Sequence, residues 1–218
     1  MKRIIRWLKH LLSLLVVVII VLLALPFVIP PTKYIPDLQQ LLSERLQEPV
    51  SIADVSITLL PIPALVLHNV RIGTLPLATV DTLRAHIDLR TLRDPVKVLP
   101  HIDLDGLTLR QEALKKIPLW FQPGNQATID IKMVRLYHSY LVIKKRTLGP
   151  VNAEIHLTPQ GDLNNATITS LDRALSIAVK PESKQRYRIA VKARQWQPPY
   201  GTRLRFDELN ASLLANAG

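Results

Sequence analysis

HIDLDGLTLR, His101–Arg110, reads as a β-strand that changes its facing in the middle. Ile102 and Leu104 are apolar at even positions, but after Asp105-Gly106 the apolar residues are Leu107 and Leu109, at odd positions. Side chains alternate between the two faces of a strand, so a slip of one position sends every later side chain to the other face. The same apolar-x-apolar-x-x-apolar-x-apolar spacing recurs at Val50, Ile52, Val55 and Ile57, at Leu65, Leu67, Val70 and Ile72, and at Ile129, Ile131, Val134 and Leu136. A looser copy is Leu204, Phe206, Leu209 and Ala211. With 48% hydrophobic residues the bare spacing arises often by chance. The polar filling, IDLDGLTL beside IDIKMVRL, and the placement inside strand-like runs give it weight. Two physical readings fit. A one-residue bulge in each of several neighbouring strands would kink and twist the sheet, curling it into an apolar trough. Alternatively, each strand passes from one packed layer to another, as at the corners of a sandwich.

Around this stretch the chain from Val50 onward is mainly period two. In the run Leu77–Arg90, Leu83, Ala85, Ile87 and Leu89 share one face and Arg84, His86, Asp88 and Arg90 the other, which predicts a sheet with one greasy and one wet side. Proline- and glycine-bearing turns at 123–125, 148–150, 159–162 and 198–201 separate further alternating runs, for about eleven strands in all. Gln111–Phe121 reads as a helical turn or an irregular link. The fold expected is mainly β, a long, curved, largely antiparallel sheet over 50–218 forming an apolar groove. At about 4.8 Å per strand it would be about 50 Å long, short for bridging two membranes alone.

The beginning of the chain has another character. From Leu11 to Ile29 no residue is charged. Counted from Leu8 the segment has about 22 residues, roughly 33 Å as a helix, which suffices to cross a bilayer core. It ends in Pro26-Phe-Val-Ile-Pro-Pro31, a poor cleavage site, so 11–30 is expected to be an uncleaved transmembrane signal anchor. Lys2, Arg3, Arg6 and Lys9 precede it, which makes 1–10 a basic cytoplasmic tail and puts the rest of the chain outside the cytoplasm. Next, 31–49 is expected to hold a juxtamembrane amphipathic helix, with Leu38, Leu41, Leu42 and Leu46 on one face and Pro49 limiting it. Such a helix either lies on lipid or caps a sheet.

Composition narrows the chemistry. The chain of 218 residues has no cysteine, which excludes disulfides, thiolate catalysis and cysteine-based zinc sites. Its 28 Lys and Arg against 17 Asp and Glu, a net charge of +11, fit anionic lipid or nucleic acid as a partner. Export across a membrane argues against nucleic acid. There is no glycine-rich phosphate loop, GxSxG, HExxH or EF-hand loop, and no serine in a nucleophile context, so no catalytic residue is expected. His-Ile-Asp occurs at 86–88 and at 101–103. On strands these pairs could form a two-strand metal site, but they equally suit the wet face of the sheet, and neither metal nor cofactor is expected. The candidate ligand-binding residues are the apolar ones of the greasy face and its neighbours: Leu83, Ile87, Leu89, Ile102, Leu104, Ile129 and Ile131.

The ordered string VSIADVSITLLPIPALVLHNVRIGTLPLATVDTLRAHIDLRTL, after an anchor and a Leu-rich helix, resembles the N-terminal region of the AsmA-like family. The matching residues are Leu60-Pro61, Leu65, Leu67, Asn69-Val70, Ile72-Gly73, Leu77-Ala78, Val80 and Leu89, and VKVLPHIDLDGLTLR resembles the family's next strand. Where the family has glycine, this chain has Glu48-Pro49 and Ala53-Asp54. It is shorter than most members and reads as a short member or a fragment. The resemblance implies a single-pass inner-membrane protein facing the periplasm of a Gram-negative cell. It implies kinship with chorein-like β-groove lipid-transfer proteins, and phospholipid transport toward, or assembly of, the outer membrane. The partners implied are phospholipid, the inner membrane and other envelope proteins. The alternative on the residues alone is a membrane-tethered scaffold with a closed β core that binds envelope proteins.

Overall fold

The structure, a computed structural model, describes residues 31–60, 62–120, 129–183, 186–197 and 205–216. The expected basic tail and transmembrane anchor lie outside the described residues. Among those described, no helix is long and apolar enough to cross a membrane. The chain is mainly β and its centre is one large curved sheet.

Its strands are β1 (Val50–Ser51), β2 (Asp54–Thr58), β3 (Ala64–Ile72), β4 (Ala78–His86), β6 (Ile102–Asp105), β7 (Thr108–Arg110), β9 (Met133–Ile143), β10 (Arg146–Leu157), β11 (Leu163–Ser170), β12 (Leu175–Ser183), β13 (Arg186–Trp196) and β14 (Phe206–Asn216). The order is β1-β3-β4-β6-β9-β10-β11-β12-β13-β14, with β2 continuing the rank of β1 and β7 that of β6. Neighbours are antiparallel except β9, which runs parallel to β6 and β7. That parallel step needs a crossover, supplied by 111–132. It holds two single-turn helices, α2 (Gln111–Leu114) and α3 (Ile117–Trp120), and β8 (Ile129–Ile131). β8 pairs with β5 (Lys97–Leu99) in a separate two-stranded sheet.

The facing change in HIDLDGLTLR is real, but it is not an isolated bulge. β6 ends at Asp105 and β7 begins at Thr108, yet both keep one register against β4: Asp105 faces Thr82 and Thr108 faces Thr79. Against β9 the register is equally unbroken, from Asp105–Tyr137 to Thr108–Tyr140. Register survives because every neighbour slips at the same rank. The row runs through Ala53, Asn69, Asp81, Gly106 and His138, and Asn69, Gly106 and His138 all have positive φ. On one side of it the apolar face is made by Val55, Leu67, Leu83, Leu104 and Leu136, and on the other by Ile52, Val70, Val80, Leu107 and Ser139. A line of coordinated kinks thus inverts the strand parity while one face of the sheet stays apolar. The slip expected at Ile129–Leu136 is corrected: 129–131 is a strand of the small sheet, and β9 slips later, between Leu136 and the buried Ser139. β4 carries a copy, Ala78, Val80, Leu83 and Ala85, that pattern reading missed.

The Leu-rich helix, α1 (Ile35–Leu46), follows a 3-10 turn at Pro31–Tyr34 and ends at Gln47 in the left-handed region. It caps the sheet. Ile35, Leu38, Leu42 and Leu46 pack on the core of β1–β4 and β7, with Trp120 of α3 beside them. Leu41, expected on that face, is 62% exposed, because 100° per residue turns it away from Leu38 and Leu42. The Ser43 hydroxyl accepts from Val50 N–H at 2.9 Å, tying α1 to β1, and Lys116 pairs with Glu48, tying the crossover to the link between them.

β4 is shorter than the alternation from Leu77 to Arg90 suggests. It stops at His86, where Ile87 N–H turns to Pro63 O (3.0 Å). Asp88 then caps a 3-10 helix, Leu89–Arg93, by accepting from Arg90 N–H at 3.0 Å. An Asx cap competes locally with the ladder, and here it wins over the alternation.

Candidate functional site

Two rows of apolar side chains cross the sheet from edge to edge. Register places Val55, Leu67, Leu83, Leu104, Leu136, Ala153, Ile168, Ile177, Val191 and Ala211 in one row. The adjacent row is Ile57, Leu65, Ala85, Ile102, Val134, Ile155, Ala166, Val179, Ile189 and Leu213. The end at β2 and β3 is covered: Val55 is 2% exposed and Leu67 4%. The helices lie against β1, β2, β7 and β9, and among the described residues the packed cluster they complete takes no member from β10–β14. There the same rows hold buried Ala153 and Ala166, are half-buried at Ile168, Ile177 and Val191, and expose Leu213. The apolar face is therefore one continuous surface, sealed under the helices at one end and grading from half-buried to exposed at the other.

Of the residues singled out from sequence, Leu83, Ile102 and Leu104 sit together in these rows. The other four do not join them. Ile87 and Leu89 lie beyond the end of β4, Leu89 exposed in the 3-10 helix, and Ile129 and Ile131 belong to β8. Sequence reading missed Ile168, Ile177 and Val191. Their signal was present as plain alternation in ATITS, LSIAVK and YRIAVK, but it carried no slip to draw notice.

The opposite face is polar and organised. Across β4, β6, β9 and β10 the register aligns Arg84, Asp103, Arg135 and Glu154, a ladder of alternating charge. Arg135 grips Asp103 with two bonds, Nε to Oδ1 at 2.7 Å and a terminal nitrogen to Oδ2 at 3.0 Å. That carboxylate, against the guanidinium, raises the Arg135 pKa further above its high ordinary value. Beside the ladder, His86 Nε2 lies 3.2 Å and His101 Nε2 3.9 Å from the same Asp103 Oδ2. The two imidazoles face each other with centroids 3.9 Å apart. Burial first, then the electrostatic influence of the neighbouring His86 and Arg135, holds His101 below the ordinary histidine value. Sequence reading weighed the His-Ile-Asp repeat as one set. The structure divides it, since His86 joins His101 and Asp103 while Asp88 caps the 3-10 helix.

Comparison of this chain with family models, with curated proteins and with solved structures finds no match.

Proposed function

We propose that this chain is a membrane-anchored β-groove protein of the AsmA-like type that holds acyl chains on its apolar sheet face. In this reading it faces the periplasm from the inner membrane and aids phospholipid transport to, or assembly of, the outer membrane. The observation that carries the reading is the pair of apolar rows running unbroken across ten strand ranks, whose part beyond β9 lies outside the helix-covered core among the described residues. Monomeric proteins rarely leave so extended an apolar surface without something to bind. Each methylene buried there contributes about 0.8 kcal/mol, so a dozen would supply about 10 kcal/mol before ordering costs are subtracted. No bond needs to be made or broken. The uncharged stretch Leu11–Ile29 with its basic flank supports the anchor.

A second reading, a scaffold with a closed core, draws on the sealed end, where α1 and Trp120 cover β1–β4 as in an ordinary packed domain.

Native mass spectrometry on the full chain, purified in mild detergent, separates the two. Ile177→Asp charges the half-buried part of the apolar face, and Ser176→Asp places the same charge one residue away on the other face, opposite Lys192. Wild type and Ser176→Asp are expected to carry phospholipid, and Ile177→Asp to lose it at an unchanged thermal midpoint. Equal lipid on all three would mean that the anchor alone holds it, and the groove reading fails. Folded protein without lipid in every case favours the scaffold.

A further inference from the structure

We propose that His86, His101 and Asp103 form a binding site for a borderline divalent cation of the zinc class, on the polar face of the sheet at β4 and β6. The inference is independent of the acyl-chain reading, which concerns the other face.

The three donor atoms lie within 4.8 Å of one another. In a tetrahedral zinc site with bonds of about 2.0–2.2 Å, ligand atoms sit about 3.3 Å apart. The separations from Asp103 Oδ2, 3.2 Å to His86 and 3.9 Å to His101, are close to that value, and the two facing rings must turn about their side-chain bonds for both Nε2 lone pairs to converge on one ion. The sheet supplies the rigidity. Arg84 pairs with Asp103 and Ala85 with Ile102, so His86 and Asp103 sit on paired strands, and His101, immediately before β6, is tied to the end of β4 by His86 N–H donating to His101 O at 3.1 Å.

The donor set selects the ion. Two imidazoles and one carboxylate suit zinc, nickel or copper; calcium and magnesium require mostly oxygen ligands. Asp103 is already oriented by Arg135, as ligating carboxylates commonly are by an outer partner. The guanidinium also offsets the carboxylate charge, which disfavours hard cations held by charge alone. His86 Nδ1 is buried without a hydrogen-bond partner, so ion binding at Nε2 breaks no network beyond the contact to Asp103. Three protein ligands leave one position for water.

The test uses the full chain, stripped with chelator and titrated with zinc chloride against a chromophoric competitor at pH 7.5. One equivalent is expected to bind saturably and to raise the thermal midpoint. His101→Ala and Asp103→Asn are expected to weaken it by about 100-fold, while His138→Ala, on the exposed row of kinks, leaves it unchanged. Cobalt(II) loaded into the wild type should show the intense visible bands of a four- or five-coordinate ion, a reading that needs no variant to fold. Absence of saturable binding, binding undiminished in His101→Ala, or a cobalt spectrum like that of the hexaaqua ion would each overturn the proposal.

Discussion

At the scale of residues, the row of kinks depends on what each position tolerates. Gly106 has φ +67°, and a Cβ there would lie 2.1 Å from Asp81 Oδ2 and 2.6 Å from Asp81 Cγ. Asn69 and His138 hold the same row in the left-handed region with side chains, and asparagine does so at modest cost. At Gly106 the Asp81 carboxylate lies where a Cβ would stand. Gly106→Ala is therefore expected to destabilise the fold by about 1–3 kcal/mol, measured by urea denaturation. Asp81→Ala should recover part of that loss in the double variant, because it removes the clash and leaves the backbone strain. Strictly additive effects would show that the contact with Asp81 is irrelevant.

At the scale of elements, α1 is a helix whose stability comes from docking. Its twelve residues are marginal as an isolated helix, and it has no side-chain N-cap. Its stripe of Ile35, Leu38, Leu42 and Leu46 supplies the difference by closing the core. Leu42→Ala is expected to cost about 2 kcal/mol through lost burial and residual cavity. Leu41→Ala, next to it but facing solvent, should change stability by less than about 0.5 kcal/mol. Chemical denaturation of the two variants checks this, and equal effects would mean that α1 is not seated as described. Both leucines belong to the Leu-rich pattern. Only the partner surface, made by β1–β4 between Val50 and His86, says which of them is the seam.

At the scale of the whole molecule, the sheet is asymmetric. Nine strand spacings at about 4.8 Å make it about 43 Å from edge to edge. One end is a packed core under α1 and the crossover, and the other end is a single layer. An acyl chain held on this surface would meet its weakest cover at β12–β14. Leu213 on β14 is 47% exposed and lies opposite Ile189 in the same row. Leu213→Asp is expected to leave the thermal midpoint within about 2 °C and to lower phospholipid occupancy in native mass spectra, though less than Ile177→Asp does. A midpoint lowered as far as for a core substitution would mean that this edge is covered, and would return weight to the closed scaffold.

Much of this was legible in the residues themselves. Alternation is a local property, so the strands, the greasy and wet faces, the amphipathic helix and the slip at Asp105-Gly106 could all be read directly. Other features depended on what lies across the ladder. Whether a slip is a lone bulge or one point in a row of kinks is decided by register with four neighbouring ranks, which spacing along one strand does not contain. The run through Ile87 and Leu89 kept its period, yet the cap at Asp88 ended the strand. His86 and His101 converge on Asp103 because β4 and β6 pair in one register out of several that the pattern allows. Periodicity determined which side chains share a face. Pairing of strands distant in sequence decided which of them meet, because that choice rests on the summed packing of the sheet under α1.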